Sequence, residues 1–153
     1  MLGCTACHGK DLQGTNVTDK EPEFGDMNAP NLTLLLAAYS DAQLDKVIRH
    51  GVPKDGRIFW FMPSDSYQYL SDADLAALIA HLRTTKPAGK PLPPIRNGPG
   101  FDKDVASGEF AKAAYTIKRF AAEPPVDLGE QHALGCYIAK TSCSGCRNSE
   151  LQG

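Results

Sequence analysis

The sequence predicts an all-α protein, and three stretches point to it. Ser40-Asp41-Ala42-Gln43 reads as a capping box, with Leu44, Val47 and Ile48 following on one face, Gly51 as a stop and Pro53 beyond it. Ser71-Asp72-Ala73-Asp74 opens a second helix, whose Leu75, Leu78, Ile79 and Leu82 recur at helical spacing. Leu128 to Lys140 reads as a short third helix that leads straight into Thr141-Ser142-Cys143. His50 closes the first helix, where it suits the dipole, and His81 lies off the apolar stripe of the second. Both histidines read as structural.

At 153 residues the chain has room for one ordinary domain, or a small domain and part of another. Its 42% apolar and 22% charged residues are ordinary for a globular protein. No apolar run approaches the length needed to cross a bilayer. A net charge of −2 with no basic block argues against nucleic acid as a partner. The opening MLGC has neither the positive start nor the apolar stretch of an export signal. Four of the five cysteines fall in two CxxC pairs, which suggests a cofactor or metal role more than a disulfide framework.

Cys4, Cys7 and His8 spell C-x-x-C-H, the attachment signature of c-type haem. On a helical turn, positions i, i+3 and i+4 share a face. Two thiols at that spacing can add to the vinyl groups along one porphyrin edge while the imidazole turns to the iron. Zinc would want two more ligands at finger-like spacing, yet no Cys or His lies between His8 and His50. A thioredoxin-like pair would want a preceding strand, and only Met1-Leu2-Gly3 precedes Cys4. Haem is the favoured reading of the three. An iron that only moves electrons needs a sixth ligand, and the candidates are Met27, Met62, His50 and His81. Met62 lies in a loop between two helices, with Pro63 fixing the chain just after it. It is favoured as the ligand over the alternative of an apolar filler among Phe59, Trp60 and Phe61.

In order along the chain, CTACHG, APNLT (29–33), IRHGV (48–52), DGR (55–57), MPS (62–64) and YLSDADLAALIAHLR (69–83) resemble class I cytochrome c domains. The likeness is to the multi-haem cytochrome subunits of bacterial membrane-bound dehydrogenases and related di-haem cytochromes. It covers residues 1 to about 87 and resumes near 127. The resemblance implies a cytochrome c-like fold around one covalent haem c, with Cys4 and Cys7 bonded to it, His8 proximal and Met62 distal. It further implies that the Pro30 carbonyl holds the proximal ring, and that Arg57 and Trp60 neighbour the haem propionates. The function it implies is one-electron transfer by a carrier that is not an enzyme. The implied partners are a periplasmic dehydrogenase subunit on one side and a quinone-linked or oxidase acceptor of the respiratory chain on the other. The alternatives are a five-coordinate haem peroxidase or gas-binding protein, and a remnant that loads no haem.

Such domains begin with a helix before CxxCH, which Met1-Leu2-Gly3 cannot supply, and they are exported. Both departures lead to the expectation that the chain is an internal piece of a longer periplasmic precursor. The expected organisation is a cytochrome c-like domain over 1–87, a Pro/Gly-containing linker over 88–126, and the truncated beginning of a second such domain over 127–153. Within the linker, KPAGKPLPP and Asn97-Gly98-Pro99-Gly100 signal turns, and a modest helix is expected around 105–120, with no chemistry assigned. The final CSGCRNSELQG repeats CTACHGKDLQG at a distance of 139 residues, with Arg147 in the place of His8. Arginine stays protonated and offers iron no lone pair, so this copy is expected to be non-functional for haem. A Cys3His zinc site from His132, Cys136, Cys143 and Cys146 ranks below that reading. Apo-protein is expected to be largely unfolded. The 128–140 helix, in cis or from another copy, is a candidate to cover the 71–84 stripe through Leu134 and Ile138.

Overall fold

The computed structural model describes residues 2–147, excepting the side chains of Cys146 and Arg147. The tail of the second phrase and the side chain of Arg147 therefore lie outside the described residues. In chain order the elements are α1 (Cys4–His8), β1 (Thr15–Asn16), β2 (Gly25–Asp26), β3 (Asn28–Ala29), α2 (Leu32–Leu35), α3 (Asp41–His50), α4 (Ser64–Tyr67), α5 (Asp72–Arg83), β4 (Arg96–Asn97), α6 (Pro99–Ser107), α7 (Ala113–Ala122), α8 (Ala133–Ser142) and α9 (Ser144–Arg147). Single 3-10 turns occupy Pro22–Phe24, Leu36–Ala38 and Glu130–His132. The fold is mostly helical. Two minimal antiparallel ladders add to it, β1 with β3 and β2 with β4.

The chain divides into two compact units that interleave along the sequence, one of residues 3–40 and 80–111, the other of residues 41–79 and 112 onward together with the first residues. In the first unit Leu12, Met27, Leu36, Tyr39, Leu82 and Phe101 are buried. Phe101 is fully enclosed, and Phe110 lies 6.0 Å from it and 5.9 Å from Phe24. Burial of that one ring is worth about 2–3 kcal/mol. The exposed Arg96–Asp26 pair, 2.7 Å apart, adds under about 1 kcal/mol. Packing therefore dominates here. The 86–90 start of the proline-rich stretch is not a free tether. Asn31 Nδ2 donates to the carbonyls of Ala88 and Lys90 at 2.8 and 3.3 Å, and the Ala88 N–H donates to Thr33 Oγ1 at 3.1 Å.

The expected single helix around 105–120 is instead two. Pro99 starts α6 at a position where its missing N–H costs nothing, with Gly98 extended before it. Gly108 then ends α6 in the left-handed region at φ 81°, its N–H returning to Val105 O. α7 begins five residues later at Ala113.

In the second unit α4 packs against α3, α7, α8 and α9. A helix of one turn can sit so centrally because its serines are satisfied. Ser64 Oγ donates to Val47 O at 3.3 Å. Ser144 Oγ donates to Lys140 O at 2.6 Å, so the Ser66 hydroxyl is the donor in the 3.1 Å Ser66–Ser144 bond. The second CxxC segment is thus seated on α4 through Ser144 and Gly145. At the start of α5 the cap is reciprocal, with the Asp74 N–H donating to Ser71 Oγ at 3.1 Å and Ser71 Oγ to Asp74 Oδ2 at 2.8 Å. The expected cover of α5 by Leu134 and Ile138 of the same chain is corrected: they are 73% and 49% exposed. α8 reaches the start of α5 through a polar group, with the Tyr137 hydroxyl donating to Asp74 and accepting the Ser71 N–H at 3.2 Å. The reason is helical phase. Cys136 and Thr141 occupy the inward face, which turns 134 and 138 outward.

Burial pushes the Asp65 carboxyl above the usual carboxylate range, opposed by hydrogen bonds from Ser66 and Thr116 and by the nearby Arg119. A raised folded-state pKa means the native state holds its proton longer. The stability it contributes is full below about pH 4, the unfolded value, and is lost as pH rises through the folded one. Asp65→Asn is expected to raise the melting temperature at pH 7, and the gain should shrink to nothing near pH 3. Gly14→Ala should destabilise by about 2 kcal/mol or more in denaturant titration, because its Cβ would stand 2.5 Å from Ala29 O at φ 87°. Leu134→Asp with Ile138→Asp should stay within about 0.5 kcal/mol of the parent in the same titration.

Candidate haem-attachment site

α1 is one turn bracketed by glycines, Gly3 at φ 69° and Gly9 at φ 79°. It presents Cys4 and Cys7 as partly exposed thiols, neither in a disulfide, followed by a buried His8. So short a helix cannot satisfy its own last carbonyls, and the following loop does it. The Gly14 N–H donates to His8 O at 2.7 Å and the Thr15 hydroxyl to Cys7 O at 2.6 Å. Between them Leu12 takes a left-handed φ of 61°, a conformation costing on the order of 1 kcal/mol for a branched residue. Its burial and two backbone bonds offset that cost, one from its N–H to Gly9 O at 3.0 Å and one from the Leu32 N–H to its carbonyl at 2.9 Å.

This path brings residues 29–31 against the exit of α1, where a side chain at Gly14 would collide with Ala29 O and with Leu92 Cδ1 at 2.6 Å. The Pro30 carbonyl then lies 2.9 Å from His8 Nδ1. A carbonyl only accepts, so the proton sits on Nδ1, and in the neutral ring Nε2 keeps its lone pair. Burial holds the His8 pKa below the usual histidine value, with the Pro30 bond pulling the other way. The ring is therefore neutral at pH 7, the state that ligates iron. Two thiols at i and i+3 and a tautomer-fixed imidazole at i+4 are a donor set that fits a c-type haem.

The first unit thus brings together Cys4, Cys7, His8 and Pro30. Met62, Arg57 and Trp60 belong to the other unit. There Met62 is half-buried, and its carbonyl accepts the Ser64 N–H at 2.8 Å. Trp60 is half-buried beneath the Lys112 ammonium, 5.9 Å from the ring centre. Arg57 is exposed, 3.1 Å from Asp55 and 6.0 Å from the Phe59 ring. Of the other sixth-ligand candidates, Met27 is 1% exposed in the first unit, and His50 and His81 are exposed. Among the described residues no group of three or more His, Cys, Asp or Glu could hold a metal ion by itself. None of the helices there is long and apolar enough to cross a membrane. Sequence reasoning missed Thr15, Asn31 and Thr33 as loop-fixing groups. The one signal for them was their placement, just past Gly14 and Pro30.

Comparison with known proteins gives a concordant result. The family model for cytochrome c matches residues 1–86. The chain is 33% identical over 99 residues to the fructose dehydrogenase cytochrome subunit of Gluconobacter japonicus, covering 59% of this chain and 20% of that protein. It is 29% identical over 160 aligned positions to a subunit of the nicotinate dehydrogenase of Pseudomonas putida, covering 95% of this chain and 13% of that one. The chain thus spans a fifth or less of the length of these relatives. No solved structure matches it. More than half of the chain falls within the family match, so it belongs to the cytochrome c family, and the cofactor that membership implies is a covalently bound c-type haem serving electron transport.

Proposed function

We infer that this chain is a one-electron carrier with a single haem, bound through Cys4 and Cys7 and held by His8 and Met62. The observation that supports it most is the His8–Pro30 bond, because a ring fixed in one tautomer and one orientation is what a permanent iron ligand requires. The haem supplies reversible one-electron chemistry. The protein's own part is to anchor the porphyrin edge, hold Nε2 deprotonated, and supply a thioether that raises the potential. Held by both His8 and Met62, the iron would leave no position open to a substrate, which makes the chain a carrier and not an enzyme. Pro63 after Met62 and the Ser64 N–H on the Met62 carbonyl support the ligand role by stiffening the loop.

The wider reading carries the dehydrogenase association of the relatives over to this chain. Electrons arrive from a dehydrogenase subunit in the periplasm and leave toward a quinone-linked or oxidase acceptor of the respiratory chain. Contacts of that kind are small and transient. With a net charge of −2, local patches rather than the whole field do the steering. We read residues 1–87 as the haem-carrying segment, and the repeated phrase from Cys143 as one that Arg147 leaves without a proximal ligand.

Expressed behind an added signal peptide with the c-type maturation system, the chain should give one haem per chain by pyridine haemochrome. The oxidised protein should show the weak methionine–iron charge-transfer band. Met62→Ala should keep the haem and lose the band, and the double variant Cys4→Ser with Cys7→Ser should lose covalent haem altogether. Two haems per chain would overturn the assignment of the second phrase. A parent without the band that binds carbon monoxide readily would favour the five-coordinate alternative.

A further inference from the structure

α7 lies beyond the residues that the family model matches, which end at 86. It nonetheless touches the loop containing Met62 on both sides. Upstream, the Ala113 N–H donates to Phe59 O at 2.9 Å, and the Lys112 ammonium stands over the Trp60 ring. Downstream, the Tyr69 hydroxyl donates to Phe120 O at 2.5 Å. Gln68 Nε2 donates to Ile117 O at 3.3 Å and to Asp65 O at 2.7 Å. Thr116 hydrogen-bonds the Asp65 carboxylate. A Cβ on Gly51 would lie 3.4 Å from Ala113 Cβ and from Ile117 Cδ1, so α7 seats closely on the end of α3 as well.

The pattern has a physical logic. A helix leaves its first N–H groups and last carbonyls without partners inside the helix. Ala113 is the first residue of α7, and Phe120 lies in its last turn. Both ends spend these backbone groups on residues 59 and 69, which flank Met62 at a separation of a few residues. A loop with its two shoulders fixed to one rigid element cannot drift, and outer partners of this kind set the orientation of a ligand.

We propose that α7 is a brace that positions Met62, so that a segment outside the family-matched residues completes the ligand loop. The proposal rests on the reading of Met62 as an axial ligand. Ala113→Pro removes the N–H of the upstream bond, at a first helical position where proline is tolerated and after an extended Lys112 (φ −62°, ψ 143°); because Ala113 is 3% exposed, the packing cost of the added ring is read separately in the helix melt. Tyr69→Phe removes only the downstream hydroxyl. Tyr115→Ala, at a residue 62% exposed on α7, is the control.

The haem-loaded full chain is heated while the charge-transfer band and far-UV circular dichroism are both followed, and carbon monoxide binding to the reduced form is timed. Ala113→Pro and Tyr69→Phe are expected to lose the band well below the temperature at which the helices melt. They should bind carbon monoxide about fivefold to tenfold faster, the effect of one net hydrogen bond. Tyr115→Ala should match the parent. If both variants lose band and helix together and bind carbon monoxide at the parent rate, while Met62→Ala still removes the band, the brace is refuted and the ligand reading stands. If the parent has no band and Met62→Ala leaves carbon monoxide binding unchanged, the ligand reading fails and the brace falls with it.

Discussion

The bond from His8 Nδ1 to the Pro30 carbonyl spans 22 residues of sequence, and most of the first unit's backbone geometry follows from closing that loop at 2.9 Å. The chain must leave α1 and turn sharply, which it does through Gly9, the left-handed Leu12 and Gly14. It must then come back beside its own start. The two-residue pairing of β1 with β3, Thr15 against Ala29 and Asn16 against Asn28, is the shortest ladder that returns it. From there Asn31 and Thr33 reach on to residues 88–90, so the same loop also anchors the chain after α5. Tautomer and ring orientation follow from a single acceptor, the Pro30 carbonyl. The cost is one strained leucine, and the buried contacts around it offset that strain.

The second unit is organised by polar burial of a different kind. α4 has four residues and no apolar stripe to offer, yet helices surround it. Ser64 and Ser66 are almost fully enclosed, and each hydroxyl has a partner, in Val47 O and Ser144 Oγ. Small hydroxyl side chains let neighbouring backbones approach closely, while a buried hydroxyl without a partner would cost about 1–3 kcal/mol. The arrangement therefore specifies one set of neighbours. It gives the repeated CxxC phrase a structural place on α4, through Ser144 and Gly145.

Much of the candidate site was legible in the sequence because its determinants are local. Two thiols and an imidazole at i, i+3 and i+4 follow from helical geometry alone, and the capping signals of α3 and α5 act within one turn of the residues that make them. Where sequence reasoning erred, the apolar spacing did not carry the missing information. Periodicity did not split 105–120 into α6 and α7, because the stop at Gly108 is a left-handed backbone turn and not a break in that spacing. Nor could it decide which side of 128–140 faces inward. Leu134 and Ile138 look like a core face by hydrophobicity, but the buried positions of α8 are Cys136 and Thr141.

The sequence by itself determined the helical class and the C-x-x-C-H attachment motif, since each rests on covalent spacing or on contacts within a turn. The tertiary structure decided what holds those groups. It placed the Pro30 carbonyl on His8, tied residues 88–90 to Asn31 and Thr33, and set α7 across both shoulders of the Met62 loop. The physical reason is the same in each case. A backbone carbonyl or N–H is the same group at every position in a sequence, so which one becomes a partner is fixed only when the chain has folded.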